Sequence, residues 1–333
     1  MYLHVDRRKR LRLRAMHWLL SPVDALLFPA PKATYSTTTF PWPAANCLWL
    51  EDPATGNRFP AVVCEPTDGT PPVRVILYCH GNACDAAECY NTLSQEAARW
   101  RALLVIVEFP GYGVAGGPAC AEAIDRHVRI TYEHFTKALG VHPSRVVVFG
   151  CSVGTGPASK LAASVQADGA SVGALILQSP YTSVRDAAAH VAGSVAYLVV
   201  AERWDNTQHV KQLTCPVLIV HGTRDEVIPY SHGQALCALR QDAGLPIDFF
   251  PQEGGTHNVF RHREDLSQPV ADFLRRVHPQ GSALAGRTSQ TAGSAGKFWA
   301  VVATDVKGGD KDKSVSCWGM DTTDATVVQP TDS

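Results

Sequence analysis

Three residues of types that act together stand far apart in this chain: a serine, an aspartate and a histidine. Ser152 is the centre of Gly150-Cys151-Ser152-Val153-Gly154. Before it runs the β-branched, aromatic stretch Arg145-Val146-Val147-Val148-Phe149, and after it a small-residue run from Thr155 to Ala163. A serine between glycines at a strand-to-helix turn projects its hydroxyl from the top of a sheet, beside a helix N-terminus. A hydroxyl is a weak nucleophile, so it needs a base within hydrogen-bond reach and a carboxylate to orient that base. Asp225 lies just beyond the apolar run Pro216–Val220; Glu226 is its neighbouring alternative, and Asp225 is preferred because Val227 and Ile228 lead back to the core. His257 sits in the Gly-rich segment Glu253-Gly254-Gly255-Thr256-His257-Asn258. Any of the thirteen histidines could be inert; His257 is singled out by coming third, after a serine and an aspartate that each follow a different strand. The chemistry this implies is acyl transfer through a Ser-His-Asp triad.

A tetrahedral intermediate also needs two backbone donors. One is the amide of Val153, directly after the nucleophile. The other comes from the turn after the first long strand, His80-Gly81-Asn82-Ala83, where Gly81 lets the Asn82 amide point into the site. His80 and His221 occupy equivalent His-Gly turns and are read as bracing residues. Tyr112, in Glu108-Phe109-Pro110-Gly111-Tyr112-Gly113, either lines the pocket or packs. Cys151 is read as buried packing, because the elbow exposes the residue after it.

The elements that must hold these groups follow from hydrophobic pattern. Strands are predicted at 73–79, 103–107, 145–149, 172–177, 216–220 and 247–250, and helices at 86–99, 122–139, 155–163, 231–240 and 266–277. Near-continuous apolar strands alternating with helices mean a mostly parallel central sheet with helices on both faces, an α/β fold with its site beyond the carboxyl ends of the strands. Ahead of it, residues 35–66 are short β-branched runs, Tyr35–Thr39, Cys47–Leu50 and Ala61–Cys64, with a hairpin turn at Asp52–Asn57. Between 183 and 205 the apolar stretch Val191–Val200 reads either as core helix or as a small cap over a substrate pocket. The domain boundaries are an arm at 1–34, the catalytic domain at 35–279 and a disordered tail at 280–333.

With 333 residues, 45% hydrophobic, 18% charged and a net charge of −1, the chain has a sizeable core and nothing that favours nucleic acid. Ten cysteines without a C-x-x-C pair argue for a reducing compartment and against zinc or a disulfide framework. Neither metal nor organic cofactor is called for. Arg7 to Arg14 holds six basic residues in eight, followed by a Trp/Leu/Phe-rich stretch interrupted at Pro22 and Asp24. It is too short for a span of about twenty residues and lacks a secretory pattern. It suits an anionic membrane surface, with a mitochondrial presequence and a solvated arm as the rivals.

The triad motifs, His80-Gly81-Asn82-Ala83, Gly111-Tyr112-Gly113, Ser179-Pro180-Tyr181-Thr182-Ser183, the run from Cys215 to Ile228, Ser231-His232-Gly233 and Gly255-Thr256-His257-Asn258 resemble the α/β-hydrolase-domain-containing proteins of the depalmitoylating group. The resemblance covers roughly residues 26–277. It implies the α/β-hydrolase fold and a membrane-associated serine hydrolase that removes palmitoyl thioesters from protein cysteines. Its partners would be an acylated protein or a small acyl ester, and its place the cytoplasmic face of a membrane. One departure is plain: that group carries an N-terminal cysteine cluster, and here no cysteine precedes Cys47, so membrane contact falls to Arg7–Arg14 and the apolar residues after them. A serine aminopeptidase or general carboxylesterase is the alternative on the same fold, and a non-catalytic hydrolase-fold binding module the reading from another class.

Overall fold

The structure, a computed structural model, describes residues 23–277 together with 283–284 and 317–318. Arg7–Arg14 and most of the tail at 280–333 lie outside the described residues. Residues 23–27 are helical and are labelled α1.

The chain builds strands β1 (Cys47–Asp52), β2 (Asn57–Cys64), β3 (Arg74–Cys79), β4 (Ala102–Val107), β5 (Val146–Cys151), β6 (Ala174–Gln178), β7 (Val217–Gly222), β8 (Ile247–Gln252) and β9 (Cys317–Trp318). They form one sheet in the order β8-β7-β6-β5-β3-β4-β2-β1-β9. From β4 through β8 every pairing is parallel, and the β1–β2 hairpin joins antiparallel through β2 and β4. Within the tail, the backbone of Cys317 and Trp318 pairs with Leu50 and Trp49, and the Leu284 amide donates to the Pro72 carbonyl.

Alternation along each strand explains the two covered faces. Val75, Leu77, Val105 and Val148 pack under α4 (Ala121–Glu133), α5 (Thr155–Ala167), α8 (Asn206–Gln212) and α9 (Tyr230–Asp242). Ile76, Tyr78, Leu104 and Phe149 face the other way, under α2 (Ala86–Leu93), α3 (Glu96–Arg99) and α10 (Gln268–Val277). The chain leaves β3 toward β4 on one side and returns to β5 on the other. The loops after β3 and β5 therefore emerge side by side, at the crevice where ligands bind in such sheets.

Several boundaries differ from expectation. The stretch 86–99 is two helices, and the one expected over 122–139 becomes a π turn at His134–Ala138. The closing helix is preceded by a π turn at His262–Ser267, two residues before Pro269, whose missing N–H removes one regular helical bond. Residues 35–39 are not a strand; side-chain bonds pin them, with the Tyr35 hydroxyl on Glu108 at 2.6 Å and Thr34 on Asp85 at 2.7 Å.

The insertion at 183–205 is α6 (Val184–Ala192) and α7 (Ala196–Val199), followed by an extended return. Core helix is the wrong reading for most of it: Val184, Ala196 and Val200 are buried, but Val191, Val195, Leu198 and Val199 are exposed. Trp204 fastens it down. That indole is fully buried, meets the Phe28 ring edge-on and donates to Asp125 Oδ1 at 2.9 Å. Trp204→Ala removes this anchor and is expected to cost about 3–5 kcal/mol in urea denaturation, the range for deleting a large buried aromatic; a loss below about 1 kcal/mol would contradict the anchoring role.

Candidate active site

The turn between β5 and α5 starts from a steric problem. Ser152 has φ +52, a left-handed conformation that costs a residue with a Cβ on the order of 1–2 kcal/mol. The flanking glycines serve close approach, not backbone rotation: Gly150 and Gly154 are absent from the positive-φ residues. A Cβ on Gly154 would lie 2.1 Å from the Cys79 carbonyl oxygen, and one on Gly150 would lie 2.4 Å from the Gly154 oxygen. The G-x-S-x-G spacing therefore lets the turn press onto the end of β3 while the left-handed serine stands clear. Braces hold it there. Thr155 Oγ1 donates to the Ser152 carbonyl at 2.7 Å and the Tyr181 hydroxyl to the Val153 carbonyl at 3.1 Å.

Ser152 Oγ lies 3.0 Å from His257 Nε2, and His257 Nδ1 lies 2.8 Å from Asp225 Oδ2. The structure thus brings together the three residues expected from the sequence. Asp225 accepts from the Val227 and Ile228 amides on its other oxygen, at 3.0 and 2.8 Å. Burial pushes its carboxyl up, but hydrogen bonds from His221, His257 and the Ile228 amide outweigh burial and hold it well below the usual carboxylate range. An ionised carboxylate accepts only, so Nδ1 of His257 carries the hydrogen and Nε2 offers its lone pair to the serine. Glu226 does something else: its carboxylate accepts from the His257 backbone amide at 3.3 Å. The two loops are stitched by the Arg224 amide to the Gly255 carbonyl at 2.9 Å and the Gly254 amide to Thr223 Oγ1 at 2.9 Å.

The loop after β3 sits against the serine, since a Cβ on Gly81 would be 3.5 Å from Ser152 Cβ. Among the described residues no backbone carbonyl takes the Asn82 amide. The Asn82 side chain is pinned at both ends: Nδ2 donates to the Leu27 carbonyl and Oδ1 accepts from the Tyr112 hydroxyl, each at 2.8 Å. Tyr112 is buried and orients this loop, so packing is the better of its two readings. His80 is buried with Nε2 3.2 Å from Glu108 Oε1, an ion pair not aligned as a hydrogen bond. Burial would lower the His80 pKa, but Cys84 and the Glu108 carboxylate beside it together outweigh burial and raise it to about 10. His221 Nε2 donates to the Ile228 carbonyl at 2.8 Å and stands 3.4 Å from Asp225. Both histidines brace loops, as their positions imply. Burial pushes the Cys151 thiol up to about 12, beside Tyr78.

Reading the sequence missed the supports. Asp85 caps α2 in a reciprocal box with Glu88, and also takes the Thr34 amide at 2.7 Å; the Asp-x-x-Glu spacing before an apolar run was its signal. Tyr35, Thr155 and Tyr181 carried no such signal. Among the described residues no group of three or more His, Cys, Asp or Glu is arranged to hold a metal ion, and no helix is long and apolar enough to cross a membrane.

Such an arrangement can pass a proton from a serine hydroxyl to an imidazole fixed by a carboxylate, the requirement for attack on an acyl carbon. Because Gly154 meets backbone and not a movable side chain, Gly154→Ala is expected to cost more than about 3 kcal/mol, above the usual overpacking range. A melting temperature within about 2 °C of the parent would show that the turn yields more easily than this packing allows.

A sequence profile of the prolyl oligopeptidase family matches residues 131–280, a stretch that holds Ser152, Asp225 and His257. Alpha/beta hydrolase domain-containing protein 17B of Homo sapiens is 30% identical over 204 residues, 60% of this chain and 67% of that protein. Lysophosphatidylserine lipase ABHD12 of Danio rerio is 28% identical over 233 residues, 62% of this chain and 59% of that protein. Among solved structures, an esterase of Pyrococcus furiosus superposes with a TM-score of 0.57 at 12% identity, covering 74% of this chain and 98% of its own. An alpha-beta hydrolase from Vibrio vulnificus does so at 0.55 and 19%, covering 70% and 80%. At those identities the structural likeness speaks for the fold alone.

Proposed function

Because the chain belongs to the α/β-hydrolase superfamily, we propose that it is a serine hydrolase of acyl thioesters and esters, acting on fatty acyl groups carried by protein cysteines. The observation that supports this most is the hydrogen-bonded line from Asp225 through His257 to Ser152. Ser152 Oγ attacks the acyl carbon as His257 Nε2 takes its proton. The Val153 and Asn82 amides hold the oxyanion, and Asp225 stabilises the imidazolium. Collapse breaks the carbon–sulfur or carbon–oxygen bond, and His257 returns the proton to the leaving group. Water, deprotonated by the same histidine, then releases the acid from Ser152.

The preference for apolar acyl groups rests on the rim. Val227 and Val259 each stand two residues after a triad member, and the 183–205 insertion adds Val191, Val195, Val199 and Leu198, the last 84% exposed. The Danio rerio relative, a lysophosphatidylserine lipase, fits the same class. The profile match to prolyl oligopeptidases favours a second reading, hydrolysis of peptide amides.

A fluorophosphonate probe should label the parent and not Ser152→Ala, and kcat/KM should fall by about 10⁴-fold or more in that variant. Equal labelling would remove Ser152 as nucleophile. Across palmitoyl-thioester, short-ester and aminoacyl-amide substrates the thioester should turn over best, and a preference for the amide would replace the first reading with the second.

Placement at the cytoplasmic face of an anionic membrane, through Arg7–Arg14, belongs to the same proposal. Deleting residues 1–14 should reduce sedimentation with phosphatidylserine vesicles by about ten-fold or more at low salt, since each basic residue near such a surface contributes roughly 1 kcal/mol. Unchanged binding would rule the arm out as the anchor.

A further inference from the structure

We propose that Cys84 and Cys89 form a dithiol that hydrogen peroxide closes to a disulfide, and that closure turns off the oxyanion loop; the second half rests on the reading of Ser152 and Asn82 given above.

Cys84 ends the turn that carries Gly81 and Asn82, and Cys89 lies in the first half of α2. Their sulfurs are 3.9 Å apart, so side-chain rotation has about 2 Å to close before reaching a disulfide length of about 2.05 Å. Cys84 is half-buried and Cys89 buried, which gives an oxidant access to the first and protects the second. Nine described cysteines are free thiols. Burial pushes Cys47, Cys64, Cys79, Cys120, Cys151, Cys215 and Cys237 up. Cys84 goes the other way: the hydrogen bond from Cys89, aided by the His80 imidazole 3.9 Å away, holds it below the usual thiol range. Cys89 is pushed up in turn and keeps its hydrogen. A half-buried thiolate beside a buried protonated thiol is the arrangement of an attacking and a resolving cysteine.

The Cys84 thiolate attacks one peroxide oxygen, the O–O bond breaks, and the departing hydroxide takes a proton and leaves as water. Cys84 is then a sulfenic acid. The Cys89 sulfur attacks the Cys84 sulfur, its proton goes to the departing hydroxide, and a second water leaves. Two thiols lose two electrons and one peroxide becomes two waters.

The consequence for the site follows from one peptide unit. The Gly81 carbonyl accepts from His80 Nδ1 at 2.8 Å, with Cys84 Sγ 3.3 Å from the same oxygen. The N–H of that same planar unit belongs to Asn82 and points opposite to the carbonyl. Fixing the oxygen therefore aims the amide, and a disulfide removes the Cys84 charge that lies 3.9 Å from the same His80 Nδ1 and helps keep that imidazole protonated.

The test uses the full, reduced chain treated with hydrogen peroxide, read by intact mass, by tandem spectra of the tryptic peptide spanning 75–99, and by turnover of a p-nitrophenyl ester. The parent should lose about 2 Da at a Cys84–Cys89 link, and about five-fold or more of its turnover, with dithiothreitol restoring both. Cys89→Ser should show no such link and gain about 16 Da instead, and Cys84→Ser should show neither change there. The proposal is overturned if the parent loses no mass, if the link maps to other cysteines, or if it forms while turnover stays constant. Mass reports the dithiol whether or not the ester is a substrate, and fluorophosphonate labelling of the reduced parent reports Ser152 separately.

Discussion

The constraint on which the rest depends is a contact between backbones, where the turn after β5 lies on the carbonyl that ends β3. With a Cβ on Gly154 destined for 2.1 Å from the Cys79 oxygen, that position admits glycine and little else. From that approach the remaining geometry follows. The turn between strand and helix is so short that its central residue takes φ +52, and the strain is offset by bonds to Thr155 and Tyr181. Because β3 and β5 are neighbours at the point where strand order reverses, the same approach puts the His80–Cys84 loop against Ser152.

The other half of the site is held by different means. Asp225 carries its charge in a buried place, and an uncompensated carboxylate there would be costly. Two amides and two histidines compensate it. Those two histidines divide the labour by the end of the ring each presents. His221 turns Nε2 back to the Ile228 carbonyl and closes its own loop. His257 presents Nδ1 to the carboxylate and so has Nε2 free for Ser152. Residue type alone does not distinguish them. The direction of approach does.

That difference marks how far the sequence could be read. Strand cores such as Val146–Phe149 were legible because they are apolar on both faces, which only a covered parallel sheet tolerates. Ser152, Asp225 and His257 were legible because each follows such a strand in a fixed order. The elbow glycines were placed correctly but for an incomplete reason, since spacing reveals a tight turn and not which backbone it presses on. Tyr35, Tyr112 and Tyr181 were not legible as braces: a tyrosine that donates across 73, 30 or 28 residues leaves no local pattern. The insertion was open between core and cap because Val191–Val200 has the composition of either, and only its packing shows that most of it faces outward.

Nucleophile and oxyanion donor are thus governed separately although they touch. The line from Asp225 to Ser152 is built from oxygen and nitrogen groups that are oriented by backbone and by one another. The Gly81–Asn82 peptide is oriented by an imidazolium that stands between a buried ion pair with Glu108 and the Cys84 sulfur, itself next to a second thiol. A change at sulfur reaches the oxyanion amide through the planarity of one peptide bond and leaves the triad's own hydrogen bonds in place. Since stabilising the oxyanion is commonly the largest single electrostatic contribution to acyl transfer, the chemistry can be lowered without disturbing the serine, the histidine or the fold that holds them.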